Sequence, residues 1–461
     1  MKNTTILFLS KFFEKGSLFL FFIFFGRYLG KEAFGEYSYF FSIASFLFVL
    51  MDIGGEFYQI KLFAKDRTIN TLFNIGVIKS VISVLILIPI GLFNEYFLCL
   101  LVMSFWAESL ISVFRSTFYF QKKFFFAAGF NIIEKLIFVA LFIFNSFAIE
   151  SLLFMYATLS ISKIMHILLI AYIKKDSITL KEININFSFW KEYLRESWSY
   201  VLHSALVIFF GQLSIILLKK FEVSYGSIAT YSVAIKIVMA IVTLFPDILF
   251  RQYYPTITRM IYIQQEESLT KYLSRIRKAN VVLALILIGV LFLSANELIK
   301  YTFGNEFSDA VLLLVFLSPV LIFRFSMYPY SGILSGSDFN YLKIIASGSC
   351  TIINLTLNFI LIPKYGIWGA GIAFVVTELS LFVIYKLASM KVLKLSYFPK
   401  SEIIGIVISF FPWIMLSVYE KISMGVRLWL LIIIGMTVLF FRKRFLGLFN
   451  FDHNLYNDGR I

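Results

Sequence analysis

Apolar runs of about twenty residues follow one another along the whole chain. A helix of about 20 mainly apolar residues crosses roughly 30 Å of hydrocarbon. Because short polar connections separate the runs, we predict an all-α polytopic membrane protein with about fourteen transmembrane helices. The predicted spans are roughly 4–25, 37–60, 72–93, 96–119, 127–147, 151–173, 197–218, 226–250, 279–295, 309–335, 341–362, 367–389, 402–419 and 426–441.

The composition supports a membrane protein and argues against a soluble one. Hydrophobic residues make up 60% and charged residues 15% of the chain, against about 45–50% and about 25% in soluble domains. The net charge of +15 does not indicate nucleic-acid binding, because the basic residues are spread along short loops. Cys99 and Cys350 both lie in apolar runs, so we predict neither a disulfide framework nor a metal cluster.

The loop charges predict the orientation in the membrane. Lysine and arginine concentrate in the alternate loops that share a side with the N-terminus. The positive-inside rule then places both termini in the cytoplasm. The first apolar run lacks a small-residue cleavage site and contains charges, so we interpret it as a retained helix.

Two longer polar connections predict the domain organisation. Residues 1–173 form an N-terminal lobe of six spans, and residues 174–196 form a cytoplasmic linker. Residues 197–389 form a C-terminal lobe of six spans with an amphipathic cytoplasmic segment at 251–278. Residues 390–461 hold two extra spans and a cytoplasmic tail. A weak internal repeat supports two related lobes, since Phe34-Gly35-Glu36-Tyr37-Ser38 is similar to Tyr225-Gly226 followed by Tyr231-Ser232.

Charged side chains inside predicted spans are the candidate functional residues, because a charge at the bilayer centre costs about 2.5–3.5 kcal/mol on insertion scales. Lys11, Glu14 and Lys15 share one face of the first helix at spacings of three and four. The cations within spans are Lys11, Lys15, Lys79, Arg115, Lys135, Lys163, Lys236 and Arg324. By depth, we expect Lys15, Lys163, Lys236 and Arg324 to line a cavity.

The shallower cations have a simpler interpretation. Lys11, Lys79, Arg115 and Lys135 lie about two turns from the cytoplasmic ends of their spans, where long side chains reach the interface. Internal ion pairing is an alternative for all of these cations. Glu14 neighbours Lys11, Glu108 lies seven residues before Arg115, and Asp247 lies eleven after Lys236. Asp52, Glu56, Glu134 and Glu378 have no partner evident from spacing. We regard Glu14, Asp247 and Glu378 as possible counter-ions or coupling groups.

One polar helical face carries Ser347, Thr351, Asn354 and Asn358, and we expect it to hydrogen-bond a neighbouring span. We expect Pro363 with Gly366 to end one helix and start the next. Residues 336–378 carry a combination of Asn354, Asn358, Ile362-Pro363, Tyr365-Gly366 and Gly369-Ala370. This stretch resembles bacterial polysaccharide-repeat flippases, the Wzx-type members of the multidrug/oligosaccharidyl-lipid/polysaccharide (MOP) exporter superfamily. Further similar segments occur in the expected order: Gly26-Arg27-Tyr28-Leu29-Gly30, Phe34 to Ser38, Asp52-Ile53-Gly54, Tyr254-Pro255 and Phe303-Gly304-Asn305-Glu306-Phe307.

The resemblance implies two six-helix lobes plus two C-terminal helices, working by alternating access around a central cavity. The implied substrate is a polyprenyl-diphosphate-linked oligosaccharide repeat unit, moved to the outer leaflet of a bacterial inner membrane for O-antigen or capsule synthesis. A glycan polymerase and a chain-length regulator are the implied partners, with a proton or sodium as coupling ion. A diphosphate requires cations in a low-dielectric cavity, and we assign that role to Lys15, Lys163, Lys236 and Arg324, with Lys11 secondary.

The chain lacks a G-x-x-x-x-G-K-[ST] phosphate loop and an H-E-x-x-H zinc motif. We therefore predict a transporter without cofactor or metal, and not an enzyme. A MATE-type drug/cation antiporter is the near alternative, but it requires a net negative cavity. A membrane-embedded glycan polymerase or glycosyltransferase is the alternative from another class, and it usually requires a large outer loop or a cytoplasmic catalytic domain.

Overall fold

The computed structural model describes most of the chain. It covers residues 2–55, 69–92, 95–120, 184–337, 341–393 and 400–419, with shorter pieces at 58–59, 62–63, 133, 136–137, 160–161, 163–165, 339, 423–427, 430–432 and 436. The chain divides into two compact units, Met1–Ala229 and Thr230–Ile461. The predicted lobe boundary at the 174–196 linker stays a prediction.

All regular elements among the described residues are helical, as predicted. The first unit contains α1 (Lys2–Met51), α2 (Ile69–Leu92), α3 (Tyr96–Phe120) and α4 (Phe187–Lys220), followed by the start of α5 (Tyr225–Leu244). The second unit continues with α6 (Pro246–Tyr262), α7 (Glu266–Thr302), a 3₁₀ turn (Asn305–Phe307), α8 (Ala310–Leu317), α9 (Val320–Ser335), α10 (Tyr341–Val392), α11 (Lys400–Ser409) and α12 (Phe411–Tyr419).

Within the described part of the chain, seven helices are long and apolar enough to cross a membrane. Counting the bent pair Tyr200–Leu206 and Gly211–Lys220 as one span raises this number to eight. Two of the seven are double-length segments, so they account for more crossings than their number suggests. The architecture agrees roughly with the predicted fourteen spans and confirms the all-α class.

The segment α1 is a helical hairpin and not one straight helix. Its 50 residues would extend about 75 Å at 1.5 Å per residue, more than twice the hydrocarbon thickness. Gly30 breaks it with φ 76° and ψ 172°, values that a residue with a Cβ rarely adopts. The two halves then pack together, because the rings of Phe25 and Tyr37 lie 4.8 Å apart.

The segment α10 repeats this arrangement in the second unit. Gly366 has φ 55° and ψ −128°, and Pro363 lies three residues before it. The chain reverses so tightly that a Cβ on Gly369 would lie 2.3 Å from the Leu361 carbonyl oxygen. This confirms the prediction that the proline and the glycine end one helix and start the next.

Side-chain hydrogen bonds fasten the described end of the predicted linker to α2. The Asn74 amide donates to the Asn184 carbonyl at 2.9 Å. Its oxygen accepts from the Asn186 backbone N–H at 2.9 Å and from the Trp190 ring N–H at 3.1 Å. The start of α4 therefore lies beside the start of α2. This agrees with the prediction that the connection before α2 and the 174–196 linker before α4 lie on the same side of the membrane.

Close packing of α1 and α4 and of α2 and α3 builds the first unit. Ile75 and Ile78 of α2 form a buried core with Val113 of α3, and Tyr58 and Tyr193 join it.

Helix α9 is the centre of the second unit. Nearly all of its residues are buried, and it packs against α6, α7 and α10. Its mainly apolar composition agrees with such a position. The C-terminal helix α12 attaches through Trp413, which stacks on Phe316 at 4.5 Å and donates its ring N–H to the Phe316 carbonyl at 2.7 Å.

The predicted amphipathic segment 251–278 consists of two helical parts. Helix α6 ends at Tyr262, and Gln264 adopts φ 55° before α7 begins at Glu266. Ile257, Tyr272 and Ile276 are buried. Helix α7 then continues through Gly289 into the following span and ends at Thr302, and it contains no proline.

We predict that Gly369→Ala destabilises the α10 hairpin. The new methyl group would overlap the Leu361 carbonyl, and overpacking of this kind costs about 1–3 kcal/mol. Thermal unfolding of the full chain in detergent would show a lower midpoint for Gly369→Ala. Gly91→Ala is the matched control, because a Cβ there meets nothing within 4 Å; equal midpoints for the two variants would contradict the prediction.

Candidate functional site

A buried ion pair connects the end of α1 to α2. Asp52 follows the last residue of α1, and its carboxylate pairs with the Lys79 ammonium. The Lys79 side chain is fully buried and also donates to the Ser109 carbonyl at 3.0 Å and to the Ser112 hydroxyl at 2.9 Å. Three donor bonds satisfy a lysine completely, so this pair is a structural junction of the end of α1 with the middle parts of α2 and α3.

The turn that carries Asp52 has a fixed shape. Gly54 has φ +82°, and a Cβ there would lie 2.9 Å from the Tyr193 hydroxyl. That hydroxyl donates to the Ile53 carbonyl at 2.7 Å. Burial, together with the nearby Asp52 carboxylate, raises the pKa of Tyr193 above its ordinary value. The hydroxyl therefore keeps its proton and remains a donor to the turn.

The prediction that Lys79 extends to the membrane interface is wrong. A carboxylate 27 residues earlier in the chain lies within reach, and pairing in the interior replaces snorkelling. The sequence indicated no partner for Asp52, because helical spacing relates only residues of the same helix and Lys79 lies on another one. One local signal was present: Ser109, Ser112 and Ser116 form a polar stripe on α3.

Glu108 of α3 binds two cations at once. Its Oε1 lies 3.1 Å from Arg115 Nη1, and its Oε2 lies 3.0 Å from Lys163 Nζ. The Lys163 ammonium also lies 5.5 Å from the centre of the Phe105 ring, within the range of a cation–π interaction. The predicted alignment of Glu108 with Arg115 is confirmed, whereas its bond to Lys163 comes only from the tertiary structure.

We call Glu108, Arg115 and Lys163 the α3 charge cluster. Two cations contact one carboxylate in this cluster. Its side chains are 17%, 15% and 10% exposed, respectively. An arginine with a lysine provides both fork-like and point-like donors for phosphate oxygens.

Arg324 and Glu378 form an ion pair in the second unit. The Arg324 guanidinium on α9 bonds the Glu378 carboxylate on α10. Glu378 is almost completely buried, whereas 15% of the Arg324 side chain is exposed. The structure thus joins a predicted anion-binding residue to a predicted counter-ion, a pairing that a separation of 54 residues conceals in the sequence.

A second buried cluster in this unit escaped the sequence analysis. Glu402 of α11 lies 2.6 Å from Lys386 Nζ and 3.8 Å from Arg277 Nε. The Tyr330 hydroxyl donates to Glu402 at 2.8 Å. All four residues are buried. Arg277 belongs to the predicted amphipathic segment 251–278 and Lys386 to the predicted span 367–389; they lie in α7 and α10 and fasten α11 to these helices.

The remaining predicted site residues are located as follows. Lys236 lies in α5 and is partly buried. Lys11, Glu14 and Lys15 lie in the first half of α1, and Asp247 lies in the first turn of α6; their side chains fall outside those that the structure describes. Lys135, Glu134 and His166 also lie outside the described residues.

The polar stripe of the family-like stretch has a structural role. The Asn354 amide donates across the α10 hairpin to the Thr377 hydroxyl at 3.2 Å. The Asn358 amide donates back to the Asn354 side-chain oxygen at 2.8 Å. All three residues are buried. This confirms that the stripe binds a neighbouring helix.

We predict strong coupling between Asp52 and Lys79. Removing one partner of a buried pair leaves an unpaired charge and costs about 3–5 kcal/mol, whereas replacing both is far milder. Chemical unfolding in mixed micelles measures the free energy of unfolding of each variant. The double variant Asp52→Asn with Lys79→Met should therefore lose much less of this free energy than the two single variants lose in sum. The pair Glu267–Lys271, whose side chains are 83% and 77% exposed, is the control. Replacing one of its partners should lower the free energy of unfolding by less than about 1 kcal/mol. Additive losses at Asp52 and Lys79 would contradict this expectation.

The chain matches the sequence model of the polysaccharide biosynthesis protein family over residues 1–261. No curated protein matches it significantly. Its fold is similar to the lipid II flippase MurJ in an inward closed conformation, with a TM-score of 0.71 and 15% identity over 96% of this chain and 99% of that one. It is also similar to an inward-facing multidrug resistance MATE family transporter of the MOP superfamily, with a TM-score of 0.63 and 16% identity over 91% and 96%.

A eukaryotic MATE transporter, AtDTX14, gives a TM-score of 0.59 and 13% identity over 88% of this chain and 98% of that one. These identities establish the fold alone, and the fold agrees with the predicted MOP architecture. The family match, in contrast, extends over more than half of the chain. The chain therefore belongs to the polysaccharide biosynthesis protein family and has the fold of the MOP superfamily transporters.

Proposed function

We propose that this protein is a flippase for a polyprenyl-diphosphate-linked oligosaccharide repeat unit. It moves the repeat unit from the cytoplasmic to the outer leaflet of a bacterial inner membrane by alternating access, for O-antigen or capsule synthesis. Both termini are cytoplasmic in this proposal. The family supports a role in polysaccharide synthesis, and the similar lipid II flippase provides a precedent for this fold acting on a lipid-linked substrate.

The observation that carries the proposal is the α3 charge cluster. Glu108 holds the Arg115 and Lys163 side chains together, with N–O distances of 3.1 and 3.0 Å. Two cations held this way are already oriented, so a diphosphate would meet little ordering cost on binding. The bound diphosphate would displace part of the Glu108 contact and accept hydrogen bonds from both cations.

The other predicted cations extend this proposal to further steps of the cycle. Lys15, Lys11, Lys236 and Arg324 remain proposed diphosphate contacts. Arg324 is engaged by Glu378 here, so a diphosphate must compete with that carboxylate. Glu14, Asp247 and Glu378 are the proposed counter-ions or coupling groups, and a proton or sodium is the proposed coupling ion. A glycan polymerase and a chain-length regulator are the proposed partners.

The charge balance favours an anionic lipid over a cationic drug. Asp52 and Lys79 neutralise each other, and in the α3 charge cluster one carboxylate contacts two cations. A drug/cation antiporter requires a net negative site, because a cation is stabilised in low dielectric by carboxylates. The described contacts of the α3 charge cluster instead bring two cations together.

We predict that Lys163→Gln and Arg115→Gln each weaken diphosphate binding by about tenfold, since a hydrogen bond to a charged group contributes about 1.5–3 kcal/mol. Glu108→Gln should strengthen binding, because it removes the competing carboxylate, and should slow release. The measurement is binding and flipping of a fluorescent polyprenyl diphosphate bearing one hexose, with the full chain in liposomes. The same assay on Lys15→Gln, Lys236→Gln and Arg324→Gln tests the remaining cations.

Lys271→Gln is the matched control, because this lysine is 77% exposed in a surface ion pair. The Lys271→Gln protein should bind the diphosphate as tightly as the unmodified protein does. The corresponding polyprenyl monophosphate should bind the unmodified protein more weakly than the diphosphate does. Each substitution should also reduce its affinity by a smaller factor. Folded Lys163→Gln and Arg115→Gln proteins that bind the diphosphate normally would refute the proposed site.

A further inference from the structure

Four exposed cations lie around the buried Glu402 cluster at one end of the second unit. They belong to three helices: Arg275 and Lys278 to α7, Lys391 to the last turn of α10, and Lys400 to the first turn of α11. We call these four residues the basic rim. Each lies within five residues of a member of the cluster, whose N–O contacts of 2.6 and 3.8 Å join the three helices. The four cations therefore share one end of the unit.

Carboxylates are scarce around the basic rim. Helix α7 has no acidic residue between Glu267 and Glu297, and the chain has none between Glu378 and Glu402. Glu267 lies eight residues before the first rim cation, about 12 Å along the helix, and it pairs with Lys271. Among the residues that the structure describes, no carboxylate forms an ion pair with a rim cation. The rim thus presents positive charge to its surroundings.

The length of α7 sets the height of the rim relative to the membrane. Lys278 and Lys300 are both exposed, and the 22 residues from one to the other rise about 33 Å, close to the hydrocarbon thickness of about 30 Å. Val282, one turn after Lys278 on the same face, is also exposed. That face therefore lies in the hydrocarbon, Lys278 lies at its edge, and Arg275 lies about 4.5 Å farther out, among the headgroups.

The other two helices place their rim cations at the same level. In α10, Lys391 follows the break at Gly366 by 25 residues, which rise about 38 Å and cross the hydrocarbon completely. In α11, Lys400 precedes the exposed apolar residues Ile403 and Ile404. The second helix thus leaves the hydrocarbon just before its rim cation, and the third enters it just after its own.

From this placement we propose that the basic rim binds the headgroups of anionic phospholipids. Guanidinium and ammonium groups donate charge-assisted hydrogen bonds to phosphate oxygens, and their long side chains extend along apolar surface toward the headgroups. The positive-inside rule uses such cations only to orient a chain, whereas the rim gives them a ligand. The inference concerns the surrounding lipid and is independent of the proposed substrate.

Bound anionic lipid would also stabilise the attachment of α11. The rim cations of α7, α10 and α11 repel one another, because the cluster brings the three helix ends together. Lipid phosphates between them reduce that repulsion. Anionic lipid should therefore strengthen the same connection that Glu402 makes inside the protein.

The first test measures which lipid lies next to the rim. In a background with Cys99→Ser and Cys350→Ser, a small bimane fluorophore is attached to Ser401→Cys, beside Lys400, and the full chain is placed in phosphatidylcholine vesicles. A trace of phosphatidylglycerol or of phosphatidylcholine carries a quenching spin label near its headgroup. The labelled phosphatidylglycerol should quench about threefold more strongly, because each exposed lysine or arginine near the surface attracts anionic lipid. High salt should reduce this difference.

The rim variant carries Arg275→Gln, Lys278→Gln, Lys391→Gln and Lys400→Gln, and the two lipids should quench it equally. Its matched control carries Lys300→Gln and Lys364→Gln, exposed lysines at the opposite ends of α7 and of the second half of α10, and should keep the preference. Equal quenching of the unmodified protein by both lipids would overturn the proposal, as would a preference that survives in the folded rim variant.

The second test separates phospholipid from the proposed transport substrate. Fluorescent polyprenyl diphosphate bearing one hexose, added in equal amount to the spin-labelled phosphatidylglycerol, should leave the quenching unchanged. Relief of the quenching would show that the rim binds the substrate and would overturn the phospholipid assignment. In detergent, phosphatidylglycerol should raise the thermal unfolding midpoint of the control variant more than that of the rim variant; equal shifts would contradict the stabilising role. Absence of flipping by every variant would refute only the proposed function.

Discussion

The cost of placing charge in a low-dielectric interior governs this structure. Lys79 meets Asp52, Arg115 and Lys163 meet Glu108, and Arg324 meets Glu378. In each of these cases the partner lies on another helix or at least two turns away, so pairing also fixes helix positions. The Asp52–Lys79 pair holds helices together, whereas in the α3 charge cluster one carboxylate contacts two cations, and the proposed anion site rests on that arrangement.

Glycine residues allow the chain to reverse its direction within two long helical segments. Both double-length segments, α1 and α10, break at a glycine whose φ is positive, at Gly30 and Gly366. Each produces a hairpin of two membrane-length helices without an intervening loop. The same residue type appears again where segments approach most closely, at Gly35 and Gly369. Turns without loops keep the ends of neighbouring helices adjacent.

Spacing along one helix predicted several local relationships correctly. Glu108 and Arg115 were expected to share a face and do so, and Pro363 with Gly366 was expected to end a helix and does so. The Asn354 stripe was expected to bind a neighbouring helix. These succeed because helical periodicity relates sequence separation directly to position on a helix. The family resemblance, too, rested on local motifs and is confirmed by the match over residues 1–261.

The sequence by itself determined the membrane environment, the helical class, the hairpin breaks and the family, because apolar length, glycine and proline act locally. Only the tertiary structure decided which charges meet. Lys79 finds its acid 27 residues away and Lys163 finds Glu108 on another helix, while Glu402 joins Arg277 and Lys386 from three different helices. Such pairs depend on helix rotation and depth, which follow from the packing of many side chains and leave no periodic trace in the sequence.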